Sequence, residues 1–144
     1  MRGLLLLLVP AIAYCFCFED AGRYYGVSPQ LLWAIAKVES NFNPKAINRN
    51  KNGTYDIGLM QINSSWFAYL KKHGIDPSLL WEPCYNAHVG AMVLRHCIDT
   101  YGYSWRAVDC YNKGKKAREN SMYVWKVYKS LLQAQTYAND MQSP

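Results

Sequence analysis

Leu31 to Asn63 reads LLWAIAKVESNFNPKAINRNKNGTYDIGLMQIN: an apolar helix closing in Glu39-Ser40, a turn-rich loop, then a short Gly-Leu-Met-Gln-Ile-Asn segment. Ser28-Pro29 just upstream supplies a hydroxyl cap and a proline at the first helical position. Leu31, Ala34, Ile35 and Val38 recur at helical spacing, and Glu39 continues the aliphatic row to the helix's end. A carboxyl group at that place loses hydration, its charged form is disfavoured, and its pKa rises. Such an acid stays protonated enough to donate a proton near neutral pH. A Glu turned to water from the last helical turn is the other reading, and this helix alone leaves both open.

Asn43-Pro44 stops the helix. Lys45 to Thr54 is loop, and Asn52-Gly53 is a strong hairpin turn with Tyr55 to Ile62 as the following strand. Ser64 or Ser65 caps a helix through Lys72 that Gly74 closes. Asp76-Pro77 opens a short turn of helix ending near Trp81. From Tyr85 to Tyr101, Val89, Met92, Val93, His96 and Cys97 share one helical face. Ser104 caps a helix through Tyr111, Lys113 to Asn120 is a basic loop, and Ser121 to Tyr137 is the last helix. Its Val124, Val127, Tyr128 and Leu131 point inward. Upstream, Phe18 to Tyr25 is a first helix ended by Gly26. The pattern predicts an α+β, predominantly helical domain with one small β-hairpin.

Residues 1–13 read as a signal peptide: Arg2, an apolar run from Leu4 to Ile12, and the small-x-small site Ala11-Ile12-Ala13. Cleavage after Cys15 is a poorer alternative. Residues 14–144 are then one domain, large enough for a real core. Tyr14 and Phe16 stand where a lipoprotein signal needs a small residue, so no membrane anchor is expected once the signal is removed. Export implies an oxidising compartment, the bacterial periplasm. Of five cysteines, removal after Ala13 leaves an odd count and removal after Cys15 leaves four. Cys15-x-Cys17 with His88 and His96 lacks zinc-ligand spacing. His73, His88 and His96 are read as surface or core side chains, and neither metal nor cofactor is expected.

The formal charge is +6, and Lys and Arg form no dense run beyond Lys113 to Arg118. No nucleic-acid motif accompanies that charge. An anionic cell-wall polymer suits a mildly basic surface. Twelve tyrosines and five tryptophans serve core packing, and flat rings also cover the apolar faces of sugars.

Glu39-Ser40, Gly58-Leu59-Met60-Gln61-Ile62-Asn63, Tyr111-Asn112 with Gly114, and Tyr123-Val124 together resemble the ordered motifs of the lytic transglycosylase family. The resemblance runs from about Cys17 to Tyr128. It implies the goose-type lysozyme fold and cleavage of the glycan strands of bacterial peptidoglycan. The Asn-Gly turn, Asp56 and the cysteines near Glu19 and Pro83 are similar to the small secreted members. Those accompany type III secretion, conjugation and pilus systems, so parts of such a machine are implied partners. The resemblance also implies disulfides Cys17–Cys84 and Cys97–Cys110. Cys110 departs from it, since the family usually carries Ala before Tyr-Asn.

Glycosidic cleavage needs a proton for the departing oxygen and support for a positive anomeric carbon. The resemblance makes Glu39 that acid and then a base, which takes the proton of the sugar's 6-hydroxyl and yields a 1,6-anhydro product. It makes Tyr111 and Tyr123 partners of the N-acetyl group or of Glu39, with Asn112 beside them. Ser40 orients the carboxyl or a sugar, or is a helix-end hydroxyl. Gly58 lets a sugar or the acid approach the backbone closely. Met60 packs beneath a sugar ring or in the core, and Gln61 and Asn63 offer amides of both polarities. Asp56 is the candidate second carboxylate. It permits hydrolysis, as a muramidase using Glu39 and Asp56, or a mixed outcome; as a turn residue bonding local amides it would play no part. A wall-binding scaffold without activity is the remaining class.

Overall fold

The computed structural model describes residues 17–142; the signal segment, its cleavage site and Cys15 lie outside them. Its helices are α1 (Phe18–Tyr25), α2 (Pro29–Ser40), α3 (Phe67–Lys72), α4 (Pro83–Tyr101), α5 (Trp105–Lys113) and α6 (Met122–Gln142). Strands β1 (Ile47–Arg49), β2 (Tyr55–Ile57) and β3 (Ile62–Asn63) lie between α2 and α3. The fold is therefore mostly helical with one small sheet, and none of its described helices is long and apolar enough to cross a membrane.

α2 is the axis of the core. Ser28 Oγ accepts from the Leu31 N–H at 3.2 Å and Pro29 sits at the first position, so the helix starts where its sequence says. Leu32, Ala34, Ile35 and Ala36 are fully buried. α6 packs along one side through Val127, and α1 along the other through Ala21. The helix ends at Asn41 in a left-handed conformation, which places Glu39 and Ser40 at the mouth of the core.

The sheet differs from the expected hairpin. β2 pairs antiparallel with β1 and also with β3, in the order β1-β2-β3. Tyr55 to Ile62 is not one strand, because the chain turns at Gly58 (φ +79°) and again at Gln61 (φ +53°). The register places Asn48, Asp56 and Asn63 directly across from one another, and Ile57 opposite Ile62. Side chains alternate across a strand, so the isoleucines enter the core while the polar row faces outward. Asn63 rather than a serine caps the following turn, its Oδ1 accepting from Ser65 N–H at 2.9 Å. His96 is a surface histidine beside the buried Cys97, and Tyr128, expected to point inward, is 38% exposed.

Two disulfides tie the helices. Cys17–Cys84 joins the start of α1 to that of α4, and Cys97–Cys110 joins α4 to α5. Loss of a native bridge from a small secreted domain costs about 2–5 kcal/mol. Cys17→Ser is expected to lower the melting temperature under non-reducing conditions. An unchanged melting curve would show that this bridge contributes nothing.

Candidate active site

A polar groove of about 810 Å³ runs between the sheet's outward face and the wall formed by α4 and α5. Asn48, Asn50, Thr54, Asp56 and Asn63 line one side. Val93, His96, Thr100, Tyr101, Asn112 and Lys115 line the other, and Glu39 stands among them. Trp66 and His96 meet edge to face at 5.7 Å in the same lining.

Glu39 keeps partial solvent access, but its carboxyl is crowded by protein and its pKa is pushed up from 4.5 to about 7. Burial is the main cause, because it penalises the charged form, and the negative charge of Asp56 adds to it. Tyr123 and Asn112 stand close enough to favour the ionised form, too weakly to restore the ordinary value. The Tyr123 hydroxyl is buried beside the carboxyl as a donor to it. Burial, and then the charge of Glu39, holds the pKa of both Tyr111 and Tyr123 well above the ordinary phenol value, so both stay protonated.

A group with this pKa donates a proton below about pH 7 and loses that ability as pH rises through it. A pH–rate profile is expected to show an alkaline limb near pH 7. A limb falling at or below the ordinary carboxylate range near 4.5 would remove Glu39 as a desolvated acid.

Asp56 is held by side chains rather than by local backbone. Its Oδ2 accepts from Asn50 Nδ2 at 3.0 Å and its Oδ1 from Asn63 Nδ2 at 2.7 Å. The carboxylate is thereby fixed on the outward row of the sheet. Asn63 spends both ends of its amide, on Asp56 and on the cap at Ser65. It positions the carboxylate from within the groove lining.

The Gly-Leu-Met-Gln turn is built for support. Gly58 leaves room for neither a sugar nor Glu39: a Cβ there would lie 2.4 Å from Asn86 Nδ2 and 2.8 Å from the Leu80 carbonyl. Asn86, fully buried, donates to the carbonyls of Ile57 (3.0 Å) and Leu80 (2.9 Å) and accepts from Met60 N–H (2.8 Å). Met60 is also fully buried, its sulfur packed where a side chain on Gly90 would be. It is a core side chain and forms no part of the groove lining. Ser40 Oγ donates to the Leu59 carbonyl at 2.6 Å, and Tyr111 Oη to that of Met60 at 2.7 Å, locking the turn to α2 and α5. Ser40 is thus a tie, not an orienter of the carboxyl. Gln61 Nε2 donates to the carbonyls of Ala46 and Gly58, while the residue lines the groove.

Asn86, Asn50 and Asp109 went unremarked in the sequence, where nothing around them marks them. Asp109 is fully buried at the junction of α5 and α6. It accepts from Lys113 Nζ (2.6 Å), Ser121 Oγ (2.5 Å) and Arg118 N–H (2.7 Å). Burial works against its charge, yet these donors outweigh burial and hold its pKa below the ordinary value.

A helical body, a small antiparallel sheet and a polar groove over one desolvated glutamic acid define a lysozyme-like glycan-cleaving enzyme. The chain belongs to the family of the transglycosylase SLT domain, whose family model matches residues 16–127. Invasion protein IagB of Salmonella typhimurium is 39% identical over 126 residues, covering 83% of this chain and 79% of that one. Protein IpgF of Shigella flexneri is 37% identical over 133 residues, covering 90% and 88%. Among solved structures, the lytic transglycosylase Slt of Pseudomonas aeruginosa superposes with a TM-score of 0.69 at 21% identity. That match covers 94% of this chain and 25% of the longer one. A lysozyme from Litopenaeus vannamei gives 0.51 at 26% identity, covering 90% and 96%. The protein is accordingly an enzyme of the peptidoglycan lytic transglycosylase type.

Proposed function

We propose that the chain cleaves the β-1,4 bond between N-acetylmuramic acid and N-acetylglucosamine without consuming water, and that Glu39 carries both proton transfers. The single observation behind this reading is the Glu39 carboxyl, with a pKa of about 7, in the lining of a groove large enough for sugar rings. Protonated Glu39 gives its proton to the glycosidic oxygen as the C1–O bond breaks. The N-acetyl oxygen of the same sugar supports the cation at C1. The Glu39 carboxylate then takes the proton of the sugar's 6-hydroxyl, whose oxygen bonds to C1 and closes the 1,6-anhydro ring. Glu39 ends the cycle protonated. Asp56, fixed by Asn50 and Asn63, adds negative charge on the groove's other side, which favours the cation and keeps Glu39 protonated.

The enzyme acts in the periplasm, exported by its first thirteen residues, and opens the wall locally for a secretion, conjugation or pilus apparatus. The likeness to an invasion protein supports that setting. Purified sacculi are the test: the chain should release soluble glycan fragments from them. Binding to sacculi without release would leave a wall-binding scaffold instead.

A further inference from the structure

We propose that Lys115 is a specificity residue, a cation on a pinned turn that binds the carboxylates of the peptide stems carried by the glycan. This rests on the reading of the groove as the glycan site and names what its rim selects.

The segment after α5 is sharply bent yet pinned. The buried Asp109 accepts from Lys113, Ser121 and the Arg118 N–H, so both flanks of Gly114–Lys116 are held to one carboxylate. Ala117, the residue that ends that span, is buried, and its N–H donates to the Gly114 carbonyl at 3.2 Å. Of the two lysines lining the groove, Lys113 spends its charge on Asp109 at 2.6 Å. Lys115 has no ion pair and no hydrogen bond among the described residues. A rigid turn therefore holds one uncompensated cation at the groove's edge.

Its place fits a substituent and not the sugar chain itself. Asn112, near the Glu39 carboxyl, lies three residues before Lys115, so their Cα atoms are at most about 11 Å apart. A peptide stem leaves the muramic acid beside the scissile bond and carries free carboxylates. The sugar rings are neutral and give a lysine no charge to pair with. The facing wall carries the amides of Asn48, Asn50 and Asn52, which suit the neutral chain, around the single carboxylate of Asp56, which Asn50 and Asn63 already hold.

The test compares stem-bearing glycan strands whose stem carboxylates are free with the same strands after those carboxylates are converted to neutral amides. The readout is the ratio of kcat/KM on the two substrates for the wild type, Lys115→Gln and Lys115→Glu, with melting curves as the folding control. Neutralising one exposed cation is expected to reduce the ratio about 2–5-fold through KM, with kcat held. Charge reversal is expected to reduce it further, and high salt to bring the wild-type ratio toward that of Lys115→Gln. Equal loss on both substrates, or an unchanged ratio in Lys115→Glu, overturns the assignment. A wild type that cleaves neither substrate overturns the proposed function itself, and turnover of the amidated strands tells the two failures apart.

Discussion

Glu39→Gln is expected to abolish detectable turnover while the protein folds. The amide keeps the shape of the carboxyl and its hydrogen-bonding size but has no proton to give. General acid–base catalysis contributes about 10²–10⁴-fold, and here one group serves as acid and then as base, so the loss lies at the upper end. The same variant should be more stable than the wild type at alkaline pH. The folded pKa of Glu39 is raised, so its contribution to stability is whole below the ordinary value of 4.5 and is lost as pH rises through about 7. At about 1.4 kcal/mol per pH unit, the change from 4.5 to about 7 is worth roughly 3 kcal/mol, which Gln does not lose. Inactivity together with a raised melting temperature at pH 8 marks a desolvated acid. A variant that retains turnover would move the chemistry elsewhere, and equal melting temperatures at pH 8 would deny the desolvation.

Asp56→Asn is the second large effect. The carboxylate is held by two amides and does no structural work that a neutral amide on the same row could not partly replace. Its loss removes negative charge from the groove and one cause of the raised Glu39 pKa. Turnover should fall on the order of tenfold, less than the 10²–10³ seen when a principal electrostatic donor is removed. The alkaline limb of the pH profile should move down with it. Anhydro products should persist, because the N-acetyl group still supports the cation. A loss equal to that of Glu39→Gln would make Asp56 a full partner. No loss and no movement of the limb would make it a sheet residue only.

Much of the architecture is legible in the chain because its elements carry local signals. The Ser28-Pro29 cap, the aliphatic row before Glu39 and the Asn52-Gly53 turn each act within a few residues. β3 is two residues long, and no periodicity can announce it. The buried polar groups were hidden for another reason. Asn86 sits in an apolar helix and earns its place through partners six to 29 residues away. Gly58 then reads as room for a ligand when the approaching group is the Asn86 amide. Met60 and Ser40 follow suit: the motif that marks the site is mostly the scaffold that holds it, and the groove's own lining comes from scattered asparagines.

The most direct measurement is mass spectrometry of the products released from sacculi digested in ¹⁸O-water. Internal attack by the 6-hydroxyl gives 1,6-anhydro ends that lack the elements of water and carry no label, and that is the expected result. Reducing ends carrying ¹⁸O would show water as the nucleophile, contradict the transglycosylase mechanism, and leave a muramidase that uses Glu39 and Asp56.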